Sequence, residues 1–248
     1  MIYRIGPGKA LLVLALGLSA CSSRTPPQTA VSAPAAAVSS EAPVSETTLN
    51  MYETLQDGDI TIPAVQPKHL SERNKRQQVD YWTDQKPGSI IVDPWERFLF
   101  YVLPNNRALR YGVGVGAAGK SFAGEAKASF GREWPKWTPT PDMIRKDPET
   151  YGPVKDGVPG GIENPLGARA LYLVNNGVDT LYRIHGTKYP GSIGRTDSDG
   201  CIRLYNQDII DLYDRVNGRV TNVLVLEEHQ SGQGTRPPGS QMMAEGGA

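Results

Sequence analysis

The sequence predicts a mainly β fold, a β-sandwich or barrel-like domain with one or two helices and a long loop insertion. Three observations predict it. Short segments rich in branched and aromatic residues recur between residues 88 and 228, one of them alternates strictly, and only one long segment has helical spacing. A chain of 248 residues has room for one such domain with flanking segments.

The first strands are predicted at Ser89–Val92 and Phe98–Leu103, on either side of the turn-like residues 93–96. In the next segment, Leu109 and Tyr111 begin an alternation of apolar residues with glycine or arginine that continues to residue 116. That alternation is typical of a strand with one buried face. Further strands are expected at 170–174, 181–184 and 222–226.

One helix is predicted from Asn206, which can cap its start, to Gly218, which ends it. The apolar residues at helical spacing on one face are Ile209, Leu212, Tyr213 and Val216. A shorter helix is expected to begin at Thr140-Pro141, with proline at its first position. Another short helix is expected within Lys68–Trp82.

The flanks differ from this domain in composition. Residues 22–48 are rich in Ala, Ser, Pro and Thr and contain no aromatic residue, which is typical of a disordered tether. The predicted organisation is a signal segment (1–20), a tether (21–50), an N-terminal extension of uncertain role (51–86), the main domain (87–228) and a disordered tail (229–248).

Within the main domain, residues 117–167 form an insertion rich in Gly, Pro, Lys and Trp. Long irregular insertions are usually binding loops or lids. Trp134 and Trp137 are therefore candidates for lining a groove that binds a sugar or peptide. The alternative is that these two side chains fix the loop to the core.

The N-terminus has the pattern of an export signal. Arg4 and Lys9 precede an apolar run at 10–18, which is much shorter than the roughly 20 residues that span a bilayer. The residues that follow, Leu18-Ser19-Ala20-Cys21, resemble the lipobox of bacterial lipoproteins. That resemblance implies cleavage before Cys21 and a lipid on its thiol. By analogy with Gram-negative lipoproteins, Ser22 in place of Asp implies anchoring to the outer membrane, with the inner membrane as the alternative.

The charge balance and the cysteine content limit which classes of function the sequence supports. The 26 basic and 26 acidic side chains balance, so the chain lacks the basic surplus of nucleic-acid binders and no nucleic-acid partner is expected. The two cysteines are Cys21 and Cys201. With lipid on Cys21, Cys201 has no disulfide partner. An unpaired thiol in an oxidising compartment points to a function, although a small buried apolar side chain is the simpler alternative.

Two segments carry the ingredients of a thiol nucleophile. His185 follows an apolar strand in Tyr182-Arg183-Ile184-His185-Gly186-Thr187, and Cys201 lies in Ser198-Asp199-Gly200-Cys201-Ile202-Arg203-Leu204. A thiol attacks as thiolate, and a nearby imidazole can accept its proton. Gly200 leaves the N–H groups near Cys201 accessible for an oxyanion.

Together these segments resemble the L,D-transpeptidase catalytic-domain family of the YkuD/ErfK type, as a lipoprotein member. That family pairs a His-Gly-Thr segment with a Ser-His-Gly-Cys-Ile-Arg-type segment. The matching residues are His185-Gly186-Thr187, Ile193-Gly194, Ser198, Gly200-Cys201-Ile202-Arg203-Leu204 and Asn164-Pro165-Leu166-Gly167. The resemblance extends over roughly residues 87–228.

The resemblance implies a role for each matching residue. Cys201 is the nucleophile, His185 is its base, and the carbonyl of Gly186 orients the imidazole as the acid of a triad does. Backbone N–H groups of Gly200 and Cys201 hold the oxyanion, in a loop that includes Ser198. The expected substrate-binding residues are Arg203, Thr187, Trp134 and Trp137. For Arg203, a salt bridge within the domain is the alternative.

The chain departs from the family at one position, where Asp199 replaces a histidine that is frequent there. An acid close to a thiol raises the pKa of that thiol unless it is screened. The role of the second family histidine is therefore not carried over to this chain.

The implied reaction acts on peptidoglycan stem peptides. Cys201 attacks the amide between an L-centre, usually meso-diaminopimelate, and the terminal D-Ala of a tetrapeptide, and an amine of another stem or of an envelope protein resolves the thioester. No metal or organic cofactor is implied, and the spacing of His185, Asp199 and Cys201 matches no known zinc site. The alternatives are an L,D-carboxypeptidase that resolves the thioester with water, and an inactive peptidoglycan-binding lipoprotein. The expected location is the periplasm, on a membrane through Cys21.

Overall fold

Strands dominate the computed structural model, which describes residues 43–116, 122–196, 201–216 and 218–238. The strands are β1 (Leu55–Asp57), β2 (Ile60–Ile62), β3 (Gln77–Asp80), β4 (Ile90–Asp93), β5 (Phe98–Leu103), β6 (Arg107–Gly112), β7 (Gly114–Val115), β8 (Gly124–Glu133), β9 (Arg169–Asn175), β10 (Val178–His185), β11 (Ile202–Arg203) and β12 (Thr221–Val225). The helices are α1 (Glu46–Met51), α2 (Pro141–Lys146), α3 (Pro148–Tyr151) and α4 (Asn206–Val216). The predicted mainly β fold is confirmed, but the insertion expected at 117–167 is not irregular throughout, because Gly124–Glu133 form strand β8 between β12 and β9.

Within this part of the chain, ten strands form one mixed sheet in the order β3-β6-β5-β4-β12-β8-β9-β10-β11-β7, and β1 and β2 form a separate hairpin. Neighbours are antiparallel except for two parallel pairs, β4 with β12 and β10 with β11. In the second parallel pair, β10 ends at the predicted base His185, and the predicted nucleophile Cys201 directly precedes β11.

The sheet curls until its two ends lie close together. β6 is second from one end of the strand order and β7 is at the other end, yet only Val113 separates them along the chain. Tyr111, Val113 and Val115 are fully buried in a single core, as the alternating pattern predicted. The result is the barrel-like arrangement expected from the sequence.

Glycines on the other face of this segment allow the close approach of two loops. A Cβ on Gly112 would lie 2.5 Å from the carbonyl oxygen of Asn74, and one on Gly114 would lie 2.5 Å from that of Ser192. These positions therefore need glycine because backbone packs directly against them.

Helix α4 packs against the inner face of the sheet. Ile209, Leu212 and Val216 are buried in the main core, and Tyr213 packs at its edge, so the predicted apolar face is confirmed. At the end of the helix, the N–H of Arg219 donates to the carbonyl of Val216 at 3.0 Å, beside Gly218 with φ +68°. The shorter helix is confirmed as α2, where the Thr140 hydroxyl accepts from the N–H of Met143.

The predicted helix within Lys68–Trp82 is wrong. That segment contains a single 3-10 turn at Pro67–His69 and the strand β3, which pairs with β6. Exposed residues alternate with half-buried ones in β3, and pairing with a neighbouring strand outweighs the weak helical pattern.

The N-terminal extension is part of the packed structure. Helix α1 begins within the predicted tether, with Ser45 as its N-cap. Tyr52 is fully buried and packs edge-on against Tyr205, with ring centroids 5.0 Å apart. The boundary expected at residue 50 is therefore wrong, while residues 1–42, including Cys21, lie outside the described part of the chain.

The predicted disordered tail is also corrected over its first half. Ser231 and the N–H of Gly232 hydrogen-bond to the carboxylate of Asp93, and the N–H of Trp82 donates to the carbonyl of Gly234. Buried Asp93 gives this polar segment a partner that composition does not reveal. Residues 239–248 lie outside the described residues. Where the chain is described, no helix is both long and apolar enough to cross a bilayer.

Candidate active site

Two adjacent parallel strands position the predicted nucleophile and base. In the register of β10 against β11, Ile184 lies opposite Ile202 and His185 lies opposite Arg203. Ile184 and Ile202 both point into the core. Because side chains alternate between the two faces, His185 and Arg203 lie on the outer face, together with Arg183 and with Cys201, which directly precedes β11.

His185 is almost fully buried, with 5% of its surface exposed. Its Nδ1 lies 2.5 Å from the carbonyl oxygen of Gly186, which can only accept. In the neutral ring the proton is therefore on Nδ1, and Nε2 carries the basic lone pair. This is the contact that the resemblance implies for Gly186.

Burial is the largest influence on the pKa of His185. It lowers the pKa of His185 to about 4, and hydrogen bonds to the backbone of Gly186 and Leu166 oppose that shift. The positive charges of Arg203 and Arg183 act in the same direction as burial. The imidazole is therefore neutral at neutral pH and able to accept a proton.

The thiol of Cys201 forms no disulfide. Burial raises the pKa of Cys201, while a hydrogen bond from the backbone of Arg183 and the charges of Arg183 and Arg203 lower it. Burial thus disfavours the charged form of both groups, the thiolate of Cys201 and the imidazolium of His185.

The side chain of Asn206 holds the segment around Gly186 in place, whereas the sequence predicted that it would cap helix α4. Its side chain accepts from the N–H of Ala168 at 2.9 Å and donates to the carbonyl of Thr187 at 3.1 Å, so it does not cap α4 as predicted. A Cβ on either Gly186 or Gly167 would lie 2.2 Å from Asn206 Oδ1. The glycines of the His-Gly-Thr and Asn-Pro-Leu-Gly segments are therefore required by the same amide.

Arg183 is the second residue that the sequence did not single out. Its guanidinium forms a bidentate pair with Asp179, with both N–O distances 2.7 Å, and lies 4.3 Å from the ring centroid of Tyr172. The spacing of Asp179 and Arg183 suggests no such contact in a regular strand. A bulge in β10 between the two residues brings them together.

Of the other predicted site residues, only some lie near His185 and Cys201 in the described part of the chain. Thr187 is buried, its hydroxyl accepts from the N–H of Tyr189, and it lines a pocket of about 140 Å³ whose lining does not include Cys201. Arg203 shares the outer face with His185. Ser198, Asp199 and Gly200 lie outside the described residues.

The two tryptophans contact other parts of the protein. Nε1 of Trp134 donates to Asp57 at 2.8 Å, and its ring packs against the main core. Trp137 pairs through its backbone with Val158, and its ring centroid is 6.2 Å from that of Tyr151. These contacts favour the alternative in which both side chains fix the insertion to the core.

Among the residues that the structure describes, no group of three or more His, Cys, Asp or Glu side chains is arranged to hold a metal ion. The described part of the site offers a thiol, an imidazole with its orienting carbonyl, and two guanidinium groups. A thiol and a nearby base are the two groups that acyl transfer through a thioester requires.

The fold and site define a mainly β protein with a thiol and an imidazole on one face of a curled sheet. Residues 87–226 match the family model of the YkuD, L,D-transpeptidase catalytic domain. The match covers more than half of the chain, which therefore belongs to this family.

Relatives and solved structures extend this comparison. The chain is 34% identical over 170 residues to a probable L,D-transpeptidase, ErfK/SrfK, of Escherichia coli strain K12, covering 67% of this chain and 52% of that protein. It is 32% identical over 152 residues to a probable L,D-transpeptidase, YbiS, of the same strain, covering 60% and 48%. This chain thus spans about half the length of these curated relatives.

A crystal structure from Brucella melitensis, described as a probable carnitine operon oxidoreductase, is 48% identical, covers 60% of this chain and 92% of its own, and has a TM-score of 0.45.

Proposed function

We propose that this chain is an L,D-transpeptidase that transfers peptidoglycan tetrapeptide stems to an amine through a thioester on Cys201. The supporting observation is the register of β10 against β11, in which the thiol of Cys201 and the imidazole of His185 share one face beside the same two arginines. Membership in the L,D-transpeptidase family gives this pair its substrate class.

In the first half-reaction, the sulfur of Cys201 attacks the carbonyl carbon between the L-centre and the terminal D-Ala. His185 Nε2 accepts the thiol proton and passes it to the departing nitrogen as the C–N bond breaks, so D-Ala leaves as an amine and a thioester remains. In the second half-reaction, an acceptor amine attacks the thioester, its proton passes to His185, and the C–S bond breaks. The proton then returns to Cys201.

The acceptor is the amine of a second stem or of an envelope protein. Water as the acceptor would make the same thioester chemistry a carboxypeptidase reaction. Mass spectrometry of muropeptides after incubation with the protein distinguishes the two, because transfer yields a cross-linked product and hydrolysis yields only a tripeptide.

The test of the nucleophile is covalent labelling by a carbapenem, a β-lactam that acylates thiol enzymes of this kind. Wild type is expected to gain one adduct mass. Cys201→Ala should gain none and should retain the wild-type circular dichroism spectrum. Equal labelling of the two proteins would refute the assignment of Cys201.

We also propose that the protein is anchored in the periplasm through lipid on Cys21, on the basis of the lipobox-like residues 18–21. The full chain should fractionate with membranes, and Cys21→Ser should be released from them or remain unprocessed. A Cys21→Ser protein that fractionates like the wild type would contradict the lipid anchor.

A further inference from the structure

A row of side chains on the outer face of the sheet, exposed at its Phe130 end, leads towards Cys201. The registers pair Phe130 of β8 with Tyr172 of β9, and Tyr172 with Arg183 of β10. Ile184 of β10 pairs with Ile202 of β11, so Arg183, one residue earlier, lies beside Cys201. We call Phe130, Tyr172 and Arg183 the outer row.

The members of the outer row are in contact with one another. The rings of Phe130 and Tyr172 stack, with centroids 4.5 Å apart and planes 16° from parallel. The Arg183 guanidinium lies 4.3 Å from the Tyr172 centroid on its other side. Asp179 holds Arg183 in this position through two hydrogen bonds. The row is thus fixed before any ligand binds, which lowers the entropic cost of binding.

The far end of the row is open to solvent. Phe130 is 43% exposed, although a large aromatic side chain gains free energy by burial. The guanidinium of Arg132 lies 5.8 Å from its ring centroid on the same strand. An exposed aromatic ring flanked by a guanidinium offers an apolar face and hydrogen-bond donors together, which suits a ligand with both C–H faces and oxygen atoms.

The length of the row matches the length of the stem. Phe130 and Cys201 are three strand spacings apart, or about 14 Å at about 4.8 Å each. In the proposed reaction the attacked carbonyl belongs to the third stem residue. Three extended residues reach about 10–11 Å, and the lactyl ether that joins the stem to its sugar adds to this length. A stem lying across the strands would bring its sugar to Phe130.

From this geometry we propose that Phe130, supported by Tyr172 and Arg132, binds the N-acetylmuramyl sugar that carries the donor stem peptide. Arg183 then lies under the acidic part of that stem. This inference rests on the proposed function, since it assumes a tetrapeptide stem at Cys201. It assigns a glycan-binding subsite to a sheet face outside the His-Gly-Thr and Cys201 segments.

The test compares two donors, a free tetrapeptide and the same tetrapeptide on N-acetylmuramic acid, with the full chain. The measured quantity is the ratio of kcat/KM for the sugar-bearing donor to that for the free peptide. Phe130→Ala should lower this ratio about three- to tenfold, the range expected for losing one aromatic contact. Phe130→Tyr should restore it.

Val178→Ala is the matched control, because Val178 is also an exposed apolar residue, 69% exposed, and lies on β10 outside the row. It should keep the wild-type ratio. An unchanged ratio in Phe130→Ala, or equal losses on both donors, would overturn the subsite while leaving the proposed function intact. Turnover of neither donor by wild type would overturn the proposed function and the subsite with it.

Discussion

At the scale of single residues, the site combines two groups that are both neutral at rest. Burial lowers the pKa of His185 to about 4 and raises that of Cys201, so their ionic forms are disfavoured. In the proposed reaction, the thiol of Cys201 therefore depends on the imidazole of His185 to accept its proton at the moment of attack. Such a pair is less exposed to oxidation than a resting thiolate, because the thiolate is the form that oxidants attack.

The importance of His185 can be measured through acylation by a carbapenem. His185→Ala should slow acylation by about two to four powers of ten, the usual range for losing a positioned acid–base group. Asp199→Asn serves as the comparison because no proton transfer is assigned to Asp199, and it should react nearly at the wild-type rate. If the Asp199 variant is the slow one and the His185 variant reacts normally, the base has been misassigned.

Individual site residues differ in how far the sequence predicts them. His185, Cys201 and Gly186 belong to short segments whose chemistry is visible in the residue types alone. Asn206 and Arg183 were misassigned or missed, because their roles depend on partners that are distant in sequence or brought close by a bulge. Residue type identifies a reactive group, whereas a supporting contact becomes visible only in the folded chain.

At the scale of elements, an ion pair between Asp57 and Arg169 helps to join the hairpin of β1 and β2 to the catalytic domain, beside the burial of Ile62 in the main core. Asp57 at the end of β1 accepts two hydrogen bonds from the guanidinium of Arg169, at 2.7 and 2.9 Å, and a third from Trp134. The Arg169 side chain is only 6% exposed. Hydrogen bonding to Arg169, partly offset by burial, holds the pKa of Asp57 below its ordinary value.

Asp57→Ala should therefore lower the free energy of unfolding by about 2–4 kcal/mol, because it leaves a buried guanidinium without its main partner. Chemical denaturation measures this loss. Glu133→Ala is the matched control, since Glu133 contacts the same guanidinium at 3.6 Å but is 62% exposed. It should cost less than about 1 kcal/mol. An equal loss in free energy of unfolding in the two variants would show that Asp57 is not the main partner of Arg169.

Elements with a strong local pattern were predicted well, as the strand up to Val115 and helix α4 show. Elements whose stability comes from distant partners were not. Strand β3 is stabilised by β6, and the segment after Glu228 by Asp93, which precedes it by more than a hundred residues. Neither partner can be inferred from the composition of the segment it stabilises.

At the scale of the whole molecule, a buried network joins the N-terminal extension to α4. The Tyr52 hydroxyl donates to Asp208 at 3.0 Å, and Arg76 lies 3.7 Å from Asp208 and 3.2 Å from Asp211. Burial raises the pKa of Asp208 to about 7, although Arg76 and Tyr52 oppose the shift. The folded protein thus holds a proton on Asp208 at pH values where the unfolded chain has lost it.

This shift has a definite sign. Its stabilising contribution is fully present below about pH 4 and is lost as pH rises towards 7. Asp208→Asn keeps the shape of the side chain without the titration. The variant should become more stable relative to wild type between pH 5 and pH 8, by roughly 2–4 kcal/mol. Thermal unfolding at both pH values measures the difference, and an identical pH dependence in the two proteins would contradict a raised pKa for Asp208.

His185 gives the opposite slope, because its lowered pKa removes stability as pH falls from about 6.5 to about 4. Over that range the effects of Asp208 and His185 on the pH dependence of stability partly cancel. Wild type should therefore vary less with pH than a protein that carries either shift alone.

The parallel pairing of β4 with β12 determines when the sheet can be completed during synthesis. It joins residues 90–92 to residues 223–225, in the middle of the strand order. During synthesis β4, β5 and β6 emerge early, but the strand that connects them to β8, β9 and β10 emerges last. Contacts so distant in sequence form slowly, and half-built sheets expose unpaired edges. The two halves of the sheet therefore cannot join until residues 223–225 have left the ribosome, and until then the edge of β4 that β12 will cover stays unpaired.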